Sequence, residues 1–282
     1  PRKKEGRGCE ISIRWLGGRR VLKLCAFLFF TSKILNPGII MTYNETDWCE
    51  TRPTGGPEAE QQDDVFFDMF ADPDPFDTFS FTFPLPKNSS VTINLKGHKA
   101  ELGQTLNSTG LTIWRASELL CNYLSTVPEK VKNKSVLELG SGLGLCSIYT
   151  YALGASKTIM TDGDSDALAN LRSNVALNKL SEAEEKVCCK QLRWGLNVEG
   201  FRDEVGGRVN VVTGADIIYI EEVIEPLFRT VEEMLLPEGI FLLAYARRNV
   251  KIDRVFEGAT AAGFRWVEPE GVEGVFLFER IR

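Results

Sequence analysis

Histidine is nearly absent from this chain of 282 residues, with His98 the only one. A catalytic pair or a zinc cluster built on imidazole therefore has a single candidate member, whose neighbours Lys96-Gly97-His98-Lys99 read as an exposed turn. The seven cysteines are odd in number, include no C-x-x-C pair, and place Cys188 beside Cys189. That spacing supports neither a metal site nor a complete set of disulfides. Cys121 and Cys146 fall in stretches that read as core helices, where a free thiol packs as a small hydrophobe, so a reducing compartment is expected, cytoplasm or nucleus. Long apolar runs are also lacking. The stretch Leu24 to Phe30 is bounded by Lys23 and Lys33 and is too short to span a bilayer, so no stable membrane insertion is expected.

Charge is spread unevenly. Residues 1–40 hold nine Lys/Arg against two Glu, a surplus of +7, which leaves −13 for the rest of a chain whose net charge is −6. An acidic body does not draw polyanions at long range, which argues against nucleic acid as a partner. Composition divides the chain in three: a basic extension over 1–40, disordered or non-native; an acidic, Pro- and Phe-rich linker or lid over 41–86; and a folded domain over 87–282. The middle segment contains Asp72-Pro-Asp-Pro-Phe76, which opposes regular structure.

From Ser90 the pattern tightens. Val91, Ile93 and Leu95 alternate with polar residues before a Gly97-His98 turn signal, which predicts a short β-hairpin. Leu119, Leu120, Tyr123 and Leu124 predict a helix from Trp114 to Leu124. Beyond Pro128, strand candidates at 135–139, 158–161, 187–191, 209–218, 240–246, 264–267 and 275–278 alternate with helix candidates at 143–153, 165–178, 221–235 and 251–262. This order predicts an α/β domain with a mainly parallel sheet covered by helices on both faces.

The first of those strands, Val136-Leu-Glu138-Leu139, runs into Gly140-Ser141-Gly142-Leu143-Gly144. Glycines there let a ligand approach the backbone at the start of the next helix. Asp162 closes the second strand, where an acid can accept hydrogen bonds from both hydroxyls of a ribose. The glycines fall at 140, 142 and 144, not in the G-x-G-x-x-G spacing of a dinucleotide turn. Glu138 would repel a pyrophosphate but suits the amino group of a methionine-derived sulfonium. Asp164 and Asp166 read as helix caps.

Together with Thr109-Gly-Leu-Thr-Ile-Trp114, Met160-Thr-Asp162, Asn174-Val-Ala-Leu-Asn178, Leu192-Arg-Trp-Gly195 and Gly214-Ala-Asp-Ile-Ile-Tyr219, these residues resemble the seven-β-strand methyltransferases. The likeness is closest to the methyltransferase-like group of protein lysine methyltransferases, methyltransferase family 16. It implies a Rossmann-like, seven-stranded class I methyltransferase sheet and S-adenosylmethionine as cofactor, with no metal. By position, Trp114 would close over the cofactor, Gly140, Ser141 and Gly142 would face its methionine part, and Asp162 its ribose. Trp194 would neighbour the adenine, and Ala215 would line the pocket. Asp216 and Tyr219 match the family's D/E-x-x-Y/F motif, which shapes the channel for the target amine and makes them the candidate catalytic pair.

The resemblance implies methyl transfer to an accessible lysine of a protein substrate. An RNA or small-molecule methyltransferase would share the same pocket, and a non-catalytic cofactor-binding module would keep the fold without turnover.

Overall fold

The computed structural model describes residues 76–98, 108–181, 186–246 and 250–281. Residues 1–75, which hold the basic extension and most of the acidic segment, lie outside them, as do Arg247 and Arg248.

The hairpin differs from the one expected. Its strands are β1 (Phe76–Leu85) and β2 (Ser89–His98), paired in antiparallel register from Phe76↔His98 to Leu85↔Ser89. The turn therefore precedes Val91 and does not follow Leu95. Lys87 and Asn88 make it with φ of 67° and 57°, a left-handed pair that suits the twist of a tight hairpin. Phe79, Phe81, Phe83 and Leu85 alternate with Ser80, Thr82 and Pro84, so the last part of the supposed linker, from 76 to 85, has strand periodicity, and a boundary at 87 cuts the turn. His98 ends β2 half-buried, 4.4 Å from the Phe76 ring, and is not in an exposed turn.

The second sheet has seven strands: β3 (Ser135–Leu139), β4 (Lys157–Asp162), β5 (Val187–Gln191), β6 (Val209–Ala215), β7 (Leu235–Ala244), β8 (Phe264–Val267) and β9 (Val275–Arg280). Their order is β5-β4-β3-β6-β7-β9-β8. Pairings are parallel from β5 to β7, and β9 runs antiparallel between β7 and β8. This is the class I methyltransferase sheet that the resemblance implied. β3 is laid down first and is flanked by β4 and β6, so the connections leave it in opposite directions and open a crevice at the carboxyl ends of these strands. β6 stops at Ala215, three residues short of the expected end, because Asp216 turns to a φ of 54°.

Among the described residues, six α-helices cover the sheet. On one face, α1 (Arg115–Thr126), α2 (Leu145–Ala152) and α3 (Ser165–Leu177) bury a core with the hairpin side chains Phe83, Ile93 and Leu95. On the other lie α4 (Val198–Glu204), α5 (Ile224–Met234) and α6 (Ile252–Ala261). The expectations did not include α4, although Val198, Phe201 and Val205 carry its apolar spacing. Strand parity divides the two cores, with Val136 of β3 facing the first and Leu137 and Leu139 facing the second. Cys121 and Cys146 are buried thiols in α1 and α2, as their helical context predicted. Among the described residues no helix is long and apolar enough to cross a membrane.

Phe83 seats the hairpin: it is 3% exposed, its ring lies 4.8 Å from that of Tyr149 in α2, and the Tyr149 hydroxyl donates to the Pro84 carbonyl at 2.6 Å. Phe83→Ala is expected to lower the unfolding free energy in urea by about 3 to 5 kcal/mol, from lost burial and the cavity left behind. A loss below about 1 kcal/mol would mean that the hairpin does not unfold with the sheet.

Candidate active site at the strand ends

The turn after β3 is held by backbone cross-links to β4. Ser141 N donates to Thr161 O at 2.7 Å, and Thr161 N donates back to Ser141 Oγ at 3.0 Å. Thr161 Oγ1 donates to Glu138 O at 2.7 Å. Gly142 N donates to Asp162 Oδ2 at 3.1 Å, and Asp164 N donates to Asp162 Oδ1 at 3.0 Å. The conformation demands glycine at 142, where φ is 50° and an added Cβ would sit 3.1 Å from the Gly110 carbonyl oxygen. The chain before α1 therefore crosses the turn in close contact.

Asp162 is mostly buried, and burial raises its carboxyl above the usual range, against the lowering effect of the amides of Asp164 and Gly142. The carboxylate also accepts from the amide of Gly163 and borders the cavity, where it can meet an incoming hydroxyl. Asp164 caps α3 by accepting from Asp166 N at 2.9 Å, as expected of a cap, and also borders the cavity.

The crevice is a cavity of about 590 Å³, a volume suited to a small-molecule ligand. Nine of the ten expected site residues line it. Gly140, Ser141 and Gly142 form its floor with Asp162 at one side. Trp114, whose Nε1 donates to Thr109 O at 2.9 Å, and Trp194, whose Cζ2 would stand 3.6 Å from a Cβ on Gly140, are half-buried walls. Ala215 and Asp216 line the end of β6, and Tyr219 stands 51% exposed at the rim. Asp216 is held by the backbone at the end of β7 and just beyond it: its N donates to Ala244 O, and its Oδ1 accepts from Ala246 N, both at 2.9 Å.

Glu138 is the exception. It does not line the cavity; it is 2% exposed and faces α2, where its Oε2 accepts from Ser147 N at 3.1 Å and from the Ser147 hydroxyl. Burial raises its pKa to about 7 despite these hydrogen bonds. The reason is parity: Glu138 follows Val136 by two residues and points with it into the first core. Two lining features had no expected role. Gly110 opposes Gly142, and Arg193 lies exposed between Leu192 and Trp194. Both stand inside quoted motifs, so the signal was present without an assigned function.

Residues 98–261 match the family model described as lysine methyltransferase. The chain belongs to the lysine methyltransferase family. The family stretch contains every cavity residue named above, whereas β1, β8 and β9 lie outside it. Among similar proteins is the protein N-lysine methyltransferase METTL21A of Xenopus tropicalis, 34% identical over 159 residues that cover 56% of this chain and 71% of that one. The protein-lysine N-methyltransferase EFM3 of Chaetomium thermophilum is 37% identical over 172 residues, covering 58% of this chain and 50% of that one. METTL21A of Danio rerio is 33% identical over 168 residues, covering 59% and 75%. Among the described residues of this lysine methyltransferase family member, no group of three or more His, Cys, Asp or Glu is placed to hold a metal ion.

The buried Glu138 gives a pH signature. Its pKa rises from 4.5 unfolded to about 7 folded, so its contribution to stability is fully present below about pH 4.5 and is lost as pH climbs through 7. The stability difference between the wild type and Glu138→Gln should therefore move against the wild type by roughly 2 to 3 kcal/mol between pH 5 and 8. Denaturant titrations at both pH values measure it, and a difference constant with pH would show that Glu138 titrates normally.

Proposed function

We propose that this chain transfers a methyl group from S-adenosylmethionine to a lysine side chain of a protein. The observation that carries the reading is the placement of the pinned glycine turn, Asp162 and Asp216 around one cavity at the ends of β3, β4 and β6. Membership of the lysine methyltransferase family and similarity to proteins named as protein lysine methyltransferases support it.

The cavity fits the cofactor. Gly140 and Gly142 leave the backbone bare where a side chain would intrude, Asp162 offers acceptors for a ribose, and Trp194 and Trp114 offer flat faces for adenine and for a cationic sulfur. Bound S-adenosylmethionine supplies a methyl group activated by the sulfonium, so that little acid or base help is needed. The chain's own work is then to bind, orient and dehydrate. A lysine amine must be neutral to react, and the carboxylate of Asp216 can accept one of its N–H bonds in a fixed direction, because the Ala246 amide holds the other side of that group. Tyr219 at the rim packs against the lysine stem and keeps water out.

Next in sequence to Tyr219 come exposed Ile220, Glu221, Glu222 and Glu225, with Glu221 paired to Arg254 at 3.3 Å. An apolar and acidic segment following a cavity residue suits a basic protein segment and disfavours a phosphate backbone. The catalytic unit in this proposal runs from β1 to the C-terminus, with residues 1–75 as appendages. Its compartment is the cytoplasm or nucleus, in keeping with the buried thiols Cys121 and Cys146.

Gly142→Val should abolish calorimetric binding of S-adenosylmethionine and S-adenosylhomocysteine, and unchanged affinity in the folded variant would refute this pocket. Asp216→Asn, which tolerates the left-handed backbone, and Tyr219→Ala should each lower turnover by about a hundredfold while shifting cofactor affinity little. Survival of full activity in both would remove them from the catalytic role.

The substrate class is read by incubating the protein with labelled cofactor and cell extract. Label should persist after nuclease, vanish with protease and map to lysine by mass spectrometry. Label confined to RNA or to a small metabolite would replace the protein substrate.

A further inference from the structure

Of the Asn174-x-x-x-Asn178 motif, Asn174 lies inside α3 and Asn178 caps its C-terminus, both away from the cavity wall, and asparagine is a poor choice for a helix interior. Asn174 is nevertheless completely buried. A buried carboxamide needs partners, and here they come from two other parts of the fold. Its Oδ1 accepts from Lys96 N at 2.8 Å, and its Nδ2 donates to Lys96 O at 3.0 Å and to Leu143 O at 3.1 Å. One turn on, Asn178 repeats the first half of this pattern: Oδ1 accepts from Asn94 N at 2.9 Å and Nδ2 donates to Asn94 O at 2.7 Å. One turn back, Asn170 Nδ2 donates to Lys96 O at 2.9 Å.

Asparagines four residues apart share one helix face, and residues two apart on a strand turn their amides to the same edge. Asn94 and Lys96 point theirs away from β1, and the helix meets them with side-chain amides in place of a third strand. Only Asn174 goes further. Leu143 sits between Gly142 and Gly144 and lines the cavity, and Gly97 of the hairpin packs directly on it: a Cβ there would lie 2.5 Å from Leu143 Cδ1.

We propose that Asn174 is a positioning residue for the cofactor, holding the glycine turn in its binding geometry only while the hairpin is seated. This rests on the cofactor reading of the cavity given above. By linkage, ligand in the cavity must then also strengthen the hairpin's attachment.

The test compares two variants of the full chain by calorimetry with S-adenosylhomocysteine. Asn174→Leu should weaken binding about tenfold per folded molecule, the scale of one lost buried hydrogen bond. Asn178→Leu loses its bonds to the hairpin but has none to the turn; it should lower the melting temperature while keeping the dissociation constant within about twofold. A merely structural role would lower the bound fraction in both without changing affinity. Wild-type affinity in folded Asn174→Leu, or equal weakening in both variants, overturns the proposal.

Should Asn174→Leu fail to fold, hydrogen exchange on the wild type decides. Adding S-adenosylhomocysteine should slow exchange of the Lys96 amide as well as the amides of the turn, and slowing confined to the turn overturns the proposal. Absence of any binding to the wild type would instead refute the cofactor reading itself.

Discussion

The site depends on the hydrogen bond from the Gly142 amide to the Asp162 carboxylate. It joins the end of β3 to the end of β4 at the point where a glycine-rich turn would otherwise be the least constrained backbone of the domain. The paired bonds between Ser141 and Thr161 brace the same junction from the buried side. A binding loop made largely of glycine is costly to order, and here most of that ordering is completed by folding, before a ligand arrives. Asp162 both holds the turn and borders the cavity, so in the proposed function the scaffold and the recognition group are one residue.

The remainder of the architecture follows from keeping β3, β4 and β6 side by side with their carboxyl ends level. Two cores, one on each face of the sheet, fix these strands from both sides. The functional side chains then project from strand ends and short connections, where the backbone can adopt conformations that a strand interior forbids.

Much of this could be read from residue order. The alternation of apolar runs and amphipathic stretches located every strand of the large sheet, and β5 fell at Val187–Gln191 with no shift, because its apolar run is bounded on both sides by polar residues. The glycine spacing and Asp162 located the cavity. What escaped was physical in origin. Prolines at 73 and 75 made the segment after them look irregular, although Phe79 to Leu85 already alternates. Glu138 was placed at the cavity by its nearness in sequence to the glycines, whereas strand parity sends it the other way. The ends of β6 and β7 are set by the backbone at Asp216 and by a register shift between Val209 and Val211, neither of which leaves a mark in hydrophobic pattern.

The left-handed conformation of Asp216 also limits how this site can diversify. Asparagine and glycine can take that φ with little strain, while most other residues would incur a backbone cost of order 1 kcal/mol in addition to losing the carboxylate. Tyr219 and Ile220, three and four residues along, carry exposed side chains on ordinary backbone. Under the proposed function, divergence in acceptor preference among descendants of such a chain should therefore accumulate at positions 219 and 220, with position 216 kept as the fixed point around which the proposed recognition surface drifts.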